Sequence, residues 1–282
     1  MTTEVVAIRE IRMIVWSQIG MALMISAGIV ALALWRGWLS PSGAAGAMVV
    51  GTVTMGLGGW SWGVLLGVFF VSSSALSHYK QAEKRQAAEK FDKGSRRDGM
   101  QALANGGVGA VLALCHAAFP AAFWFPIFVG VMSTVTADTW ATELGTLSRR
   151  PPRLITTGRR VEVGTSGGVS LLGTAFSLAG GALIGLVAGL FADGLTGWAY
   201  LLVGGVGGLT GSLFDSLLGA TVQQIYFCDY CRKDTERKLH KCGQPTRVLR
   251  GWSWLNNDWV NLLSSLVGGA VAVALALAFG LG

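Results

Sequence analysis

The sequence predicts an all-α membrane protein, a polytopic bundle of about seven or eight transmembrane helices. Of its 282 residues, 52% are hydrophobic and only 13% are charged, which is about half the charged share of an ordinary soluble domain. Long apolar stretches recur from one end of the chain to the other. The 41 glycines suit helices that pack closely in lipid. No linker interrupts the pattern, so we expect residues 1–282 to form a single integral membrane domain.

Eight apolar segments are predicted to be helices. They cover residues 13–35, 43–59, 60–77, 102–119, 122–142, 168–191, 198–220 and 258–280. The first is too long for the core of a signal peptide and lacks a cleavage site, so we interpret it as a span. The second and third are short for a bilayer of about 30 Å. They either cross with little tilt or pack as a hairpin that does not cross fully.

Three connections carry most of the basic residues, at 80–98, 145–165 and 221–252. The positive-inside rule places all three in the cytoplasm. It then places the connections at 119–122 and 193–197 outside, together with the N-terminus, where Arg9 and Arg12 do not fit the rule. Either the first span is atypical or one short segment does not cross. The charged stretch 80–93 is interpreted as an amphipathic surface helix with its lysines in solvent.

Four carboxylates lie within or at the ends of apolar segments: Asp138, Glu143, Asp215 and Asp258. Charge in hydrocarbon is costly, so such residues usually face a functional site. The predicted topology brings all four to the cytoplasmic level. Clustered oxygen ligands suit Mg²⁺, and we expect the three aspartates to bind it. The alternative is interhelical hydrogen bonding or salt bridging to loop arginines. Further polar side chains at this level are Asn105, Asn257 and Asn261.

Arg96 and Arg97 lie just before the fourth segment, followed by Asp98. Paired arginines at a helix N-terminus can bind phosphate, which the helix dipole also favours. The alternative is that they only anchor the span at the membrane surface. In both cases the pair lies near the level predicted for the carboxylates.

The second basic connection combines five arginines with a glycine-rich turn that precedes the sixth segment. Successive backbone N–H groups in such a turn can bind an anion. The alternative is that the basic loop binds acidic lipid headgroups. The P-loop and protein-kinase signatures are absent from the sequence. The candidate residues are Arg149, Arg150, Arg153, Arg159, Arg160, Thr165, Ser166, Gly167 and Gly168.

The third basic connection contains four residues of the types that bind zinc: Cys228, Cys231, His240 and Cys242. Their spacing could form a structural Zn²⁺ site, although the His-x-Cys pair is tighter than in common zinc fingers. The alternative is that the cysteines are free thiols. A catalytic zinc is disfavoured because protein ligands would fill all four positions.

Several motifs of the chain resemble the phytyl-phosphate kinase family, first described as domain of unknown function ninety-two, which includes transmembrane protein nineteen. The resemblance covers about residues 39–275. The matching strings are SSSALSHYK, KGSRRDGMQALANGG, TADTWATELGTLSRRPPRLITTGRR, VGTSGGVSLLGT, GSLFDSLLGATVQ and LNNDWVNLLSS. It implies a transmembrane helical bundle, distantly similar to the CTP-using phytol and dolichol kinases. It also implies phosphorylation of phytyl monophosphate to the diphosphate, which feeds tocopherol, phylloquinone or chlorophyll synthesis, with CTP as the expected donor.

The predicted function is therefore a lipid-phosphate kinase in a multi-pass membrane protein with a cytoplasmic active face. Its partners would be membrane lipids, a prenyl or phytyl monophosphate and a nucleoside triphosphate, and not nucleic acid. Glu143 would share the Mg²⁺ or orient Arg149, and the arginines would hold the phosphates together against their repulsion. Three alternatives remain: a transporter or flippase for a phosphorylated isoprenoid, a binding protein for it, or a lipid-phosphate cytidylyltransferase.

Overall fold

The computed structural model describes residues 2–91, 94–192 and 196–281. This part of the chain contains eight long helices, one short helix and five short strands. Most of the connection at 193–197, two residues of the charged stretch 80–93, and the side chains of Arg9 and Arg12 lie outside the described residues. The helices are α1 Thr2–Trp35, α2 Pro41–Gly58, α3 Trp60–His78, α4 Arg85–Ala88, α5 Gly99–Ala118, α6 Trp124–Gly145, α7 Leu171–Gly189, α8 Gly197–Thr221 and α9 Asn257–Ala278.

All eight predicted apolar segments are helical, which confirms the fold class. Six of the described helices are long and apolar enough to cross a membrane: α1, α3, α5, α7, α8 and α9. The prediction of about seven or eight spans also counted α2 and α6, which are not among these six. The C-terminal half of α6 is polar, and an unbroken run in the middle of the helix, from Phe128 to Ala137, is buried inside the bundle. It is therefore shielded by protein along that run, which removes the need for a strongly apolar surface.

Every long helix starts at the face where its predecessor ends. Near Arg97, the backbone N–H of Ser40 donates to the Arg97 carbonyl and the Arg97 N–H donates to the Trp38 carbonyl. The end of α1 and the starts of α2 and α5 therefore share one face. At the opposite face the Gln18 side chain donates to the carbonyl of Met55. We call the face near Arg97 the loop face, because it also carries the three basic connections.

The alternating directions agree with the orientation derived from the basic connections, in which the N-terminus lies at the face opposite them. At a rise of about 1.5 Å per residue, the 18 residues of α2 reach about 27 Å. The hairpin of α2 and α3 is thus nearly as long as its neighbours. This favours the alternative in which both short segments cross.

The basic connections are more ordered than predicted. The second forms a two-stranded ladder of β1 Arg153–Leu154 and β2 Gly168–Val169. The third forms an antiparallel three-stranded sheet, in the order β4-β3-β5, from β3 Ile225–Cys228, β4 Lys233–Thr235 and β5 Arg247–Arg250. The first was predicted to be an amphipathic helix, and this is wrong. Among the described residues of this stretch only the four of α4 are helical, and Lys84 and Lys90 are buried.

The core of the bundle depends on glycines that let helix backbones touch. A Cβ atom on Gly204 of α8 would lie 2.6 Å from the Gly181 carbonyl oxygen and from the Gly185 Cα atom of α7. Neighbouring Gly205 has room, because its nearest neighbour would be a Leu178 methyl group at 3.5 Å. The close contact of α7 and α8 therefore requires glycine at position 204, whereas position 205 has room for a methyl group.

Replacing Gly204 should therefore destabilise the bundle. We expect Gly204→Ala to lower the free energy of unfolding by about 1–3 kcal/mol, because the two backbones must move apart to admit the methyl group. Thermal unfolding in detergent measures the effect, with Gly205→Ala as the matched control that keeps the wild-type midpoint. Equal midpoints for the two variants would contradict the packing of α7 against α8.

Candidate active site

A cavity of about 1200 Å³ opens at the loop face. Its walls come from the loop-face ends of α5, α6, α7, α8 and α9, and the three basic connections surround its mouth. Twelve of the residues predicted from the sequence line this cavity. They are Arg97, Asn105, Asp138, Glu143, Thr165, Ser166, Gly167, Gly168, Asp215, Asn257, Asp258 and Asn261.

Three carboxylates line this cavity, one from each of three helices. The Ser212 hydroxyl of α8 lies 3.5 Å from Asp138 Oδ1 of α6, and Ser212 is one turn before Asp215 on the same face. The Ser264 hydroxyl of α9 lies 3.3 Å from Asp215 Oδ2. Asp258, less than two turns earlier on α9, is buried. The two serines thus link Asp138 to α8 and Asp215 to α9, and Asp258 lines the same cavity.

This donor set fits Mg²⁺. The cluster offers hard oxygen ligands from carboxylates and hydroxyls, the ligand type that Mg²⁺ prefers. Half-buried carboxylates that lie close together repel each other, and a divalent cation between them would remove this repulsion. Asp138 and Asp215 are linked through α8, because Ser212, which contacts Asp138, lies one turn before Asp215. The metal assignment stays a prediction.

Arg97 provides a positive charge in the same cavity. Its backbone is held by Trp38 and Ser40, and its guanidinium carbon lies 5.1 Å from the ring centre of Phe69. Desolvation lowers the pKa of Arg97 to about 10, while the nearby Glu143 carboxylate acts in the opposite direction. The guanidinium therefore remains charged at neutral pH, and it lies where a phosphate could reach it.

A buried lysine that the sequence analysis assigned to solvent also lines the cavity. Lys84 forms an ion pair of 2.5 Å with Glu143, and its ammonium group also donates to the Leu76 carbonyl. Lys84 is 8% exposed and Glu143 21%. Glu143 thus has a cationic partner already, which differs from its predicted role of orienting Arg149.

Removing one member of this pair should destabilise the protein. We expect Lys84→Met to lower the free energy of unfolding by about 3–5 kcal/mol, because it leaves the half-buried Glu143 without its counter-charge. The double variant Lys84→Met/Glu143→Leu should recover most of that loss. A double-mutant cycle of thermal midpoints checks this, and additive effects of the two substitutions would contradict a coupled pair.

The glycine-rich turn at residues 164–168 forms one wall of the cavity mouth. Gly167 has a φ of +83°, and a Cβ atom there would lie 2.4 Å from the Cβ of Ala220 at the end of α8. The N–H of Gly168 donates to the Thr165 carbonyl, and the Thr165 N–H donates to the backbone carbonyl of Glu162. Two of the four N–H groups predicted to bind an anion are therefore engaged within the turn.

Glu236 is a further acidic residue of the cavity that the sequence analysis missed. Its carboxylate accepts hydrogen bonds from the Ser166 hydroxyl at 3.0 Å and from the Gln223 side chain at 2.9 Å. It comes from the third basic connection, between the second and third of the candidate zinc ligands. Its position in a strongly basic segment gave no signal, because neither periodicity nor hydropathy marks it.

Comparisons with known proteins identify the family. Residues 24–269 match the family of integral membrane proteins DUF92. Protein PGR of Arabidopsis thaliana is 32% identical over 269 residues, covering 87% of this chain and 92% of the relative. The uncharacterized membrane protein MJ0933 of Methanocaldococcus jannaschii is 31% identical, covering 83% and 84%. This chain belongs to the DUF92 family.

A further relative of this DUF92 protein is protein VTE6, chloroplastic, of Arabidopsis thaliana. It is 28% identical over 241 residues, which cover 83% of this chain and 64% of the relative. No solved structure shows a significant match. The DUF92 match confirms the resemblance drawn from the motifs, and it includes all twelve of the predicted residues that line the cavity.

Seven residues predicted to bind substrate lie outside the wall of the cavity. Asp98 caps α5, where its side chain accepts from the Gln101 N–H, and the exposed Arg96 donates to the Leu39 carbonyl. The arginines of the second connection are exposed. Arg149 and Arg150 precede a small hairpin at residues 153–160, which Arg153 closes by donating to the Gly158 carbonyl. The five arginines are Arg149, Arg150, Arg153, Arg159 and Arg160.

The four candidate zinc ligands lie together outside the cavity. Their ligand atoms all lie within 4.8 Å of one another. We call this group the cysteine cluster. Its members are Cys228, Cys231, His240 and Cys242.

Proposed function

We propose that this protein transfers a phosphoryl group from a nucleoside triphosphate, with CTP as the first candidate, to a phytyl or other prenyl monophosphate. The product would be the corresponding diphosphate. The observation that carries the proposal is the meeting of aspartates from α6, α8 and α9 in one cavity that also contains Arg97. Its family membership and its similarity to protein VTE6 support a role in phytyl metabolism.

The cavity has the size and position that two phosphorylated substrates require. A volume of about 1200 Å³ exceeds the usual range for a site that takes one small molecule, about 300–1,000 Å³. It opens where the basic connections lie, so a soluble nucleotide could enter from the cytoplasmic side. The prenyl tail would lie between helices in hydrocarbon, where each buried CH₂ group stabilises binding by about 0.8 kcal/mol.

The chemistry needs positioning and charge neutralisation more than covalent catalysis. The acceptor is an ionised phosphate at neutral pH, so the reaction needs no strong general base. Arg97 would hold a phosphate of donor or acceptor, since a guanidinium can donate two parallel hydrogen bonds to it. Lys84 would hold Glu143 in place, so that the charge of Glu143 stays away from the phosphates.

Asp138, Asp215 and Asp258 would hold Mg²⁺, with Ser212 and Ser264 fixing the carboxylate orientations. Bound Mg²⁺ would neutralise charge on the donor phosphates. Asn105, Asn257 and Asn261 line the same cavity and would hydrogen-bond ligands or water.

Product analysis tests the proposal. Purified protein is incubated with Mg²⁺, labelled CTP or ATP, and a panel of prenyl monophosphates of different length and saturation. We expect a prenyl diphosphate and a nucleoside diphosphate in equal amounts, formed only when Mg²⁺ is present. Release of diphosphate from CTP would instead identify a cytidylyltransferase. Flux of prenyl phosphate across proteoliposomes without nucleotide turnover would identify a transporter, and Mg²⁺-independent binding alone a binding protein.

A further inference from the structure

The cysteine cluster lies in the third basic connection, beside the cavity but outside its wall. Each half of the cluster is a pair of ligands at a tight turn: Cys228 with Cys231, and His240 with Cys242. The segment between the two halves, residues 232–239, carries Glu236 into the cavity. We propose that the cysteine cluster binds one structural zinc ion, and that this ion fixes the segment 232–239 against the cavity.

Distances within the cluster suit tetrahedral zinc. The sulfur atoms of Cys228 and Cys242 lie 3.8 Å apart. Two thiolates bound at about 2.3 Å to a tetrahedral zinc are about 3.8 Å apart. The Nδ1 atom of His240 lies 3.1 Å from the sulfur of Cys242, so the imidazole faces the same point. All three cysteines are free rather than joined in disulfides.

Backbone geometry brings the ligands together at both turns. Arg232 and Gly243, which directly follow Cys231 and Cys242, have positive φ angles of 53° and 82°. A left-handed conformation is unfavourable for a residue with a side chain such as Arg232, by about 1–2 kcal/mol. Such a conformation persists where the surrounding structure holds the backbone in it, and it is frequent at ligand sites. The two turns therefore share a conformation that directs each pair of ligands to the same point.

Three thiolates and one imidazole would fill the coordination shell of zinc. A site with four protein ligands and no open position is structural, whereas a catalytic zinc keeps a position for water or substrate. Sulfur ligands also favour zinc over Mg²⁺, which binds to oxygen. The cysteine cluster and the aspartates of the cavity thus differ in ligand chemistry and should not exchange their metals.

The segment 232–239 begins with β4, which pairs with β3, and it also contacts the first basic connection and the cavity. The Glu236 N–H donates to the Lys90 carbonyl, and the Arg237 side chain donates to the Phe91 carbonyl at 2.7 Å. The Glu236 carboxylate accepts from Ser166 and Gln223. A zinc ion would join the residues at both ends of this segment, so its loss would loosen the part beyond β4, which carries Glu236.

Metal analysis tests the zinc site directly. Protein purified without chelators should contain about one zinc per chain, measured by mass spectrometry of the metal. Cys231→Ser and Cys242→Ser should lose most of this zinc. Cys115→Ser is the matched control, because Cys115 lies in α5 outside the cluster, and it should keep the zinc. Wild-type zinc content in both cluster variants would overturn the proposal.

A second measurement on the wild-type chain covers the case in which these variants do not fold. Protein stripped of metal is titrated with Co²⁺, which absorbs visible light strongly when thiolates bind it in a tetrahedral site. We expect a one-to-one titration that zinc reverses. Failure of the folded, stripped chain to bind either metal would show the proposal to be wrong.

Limited proteolysis tests the positioning effect of the zinc. The segment 232–239 contains four basic residues that trypsin can recognise: Arg232, Lys233, Arg237 and Lys238. Stripping the zinc should accelerate cleavage there by about tenfold or more, because local unfolding exposes the backbone. Equal cleavage rates with and without zinc would contradict the positioning effect. Both readouts are independent of catalysis, so a failed zinc test and a failed kinase assay remain distinguishable.

Discussion

Asp138→Asn and Asp215→Asn should each lower turnover with prenyl phosphate and nucleotide by about 10²-fold or more, because the charge that holds Mg²⁺ would be lost. The amide has nearly the same shape as the carboxylate and can still accept a hydrogen bond from Ser212 or Ser264. The variants should therefore fold. The measurement is kcat at saturating substrates, with Mg²⁺ varied to separate weakened metal binding from slower chemistry.

Thermal unfolding distinguishes lost function from lost structure in these variants. Without divalent cations, each variant should be as stable as the wild type or more stable, because one of two repelling half-buried carboxylates has become neutral. Mg²⁺ should raise the wild-type midpoint and should raise that of the variants less. Glu83→Gln is the control, since Glu83 is an exposed carboxylate that forms an ion pair with Lys80 and does not line the cavity. Full activity in both aspartate variants would contradict the metal assignment.

The sequence predicted the helices and the carboxylates because both leave a local signal. Hydropathy marks each long helix, and a charge such as Asp215 within an apolar helix stands out because burying it in lipid is costly. The positive-inside rule then placed the aspartates at one level, and Asp138, Asp215 and Asp258 line one cavity. The cytoplasmic identity of that face stays a prediction.

Residues of the connections were predicted less well because their environment depends on distant partners. Lys84 pairs with Glu143, 59 residues away in the chain, and Lys90 pairs with Asp234, 144 residues away. Composition alone assigns such lysines to solvent. Conversely, the arginines of the second connection looked like phosphate ligands because they precede the glycine-rich turn. All five are exposed instead, and three of them belong to the hairpin at 153–160.

Arg97 is the cation that the structure favours for phosphate binding, over the five arginines of the second connection. It lines the cavity beside Glu143, whereas those five are exposed outside its wall. We expect Arg97→Gln to lower kcat/KM by about 10²–10³-fold, since it removes preorganised hydrogen bonds to transferring phosphate. Arg97→Lys should retain part of the activity, because lysine keeps the charge but loses the paired geometry of guanidinium.

The fold should survive these substitutions because the bonds of Arg97 to the ends of α1 and α2 come from its backbone. The guanidinium of its side chain lies over the rings of Phe69 and Phe70. Arg36→Gln is the matched control, since Arg36 is an exposed arginine that contacts tryptophan rings outside the cavity. Steady-state kinetics of the three variants measure the effect. If Arg97→Gln and Arg36→Gln both keep wild-type kcat/KM for both substrates, Arg97 does not hold a phosphate and the assignment is wrong.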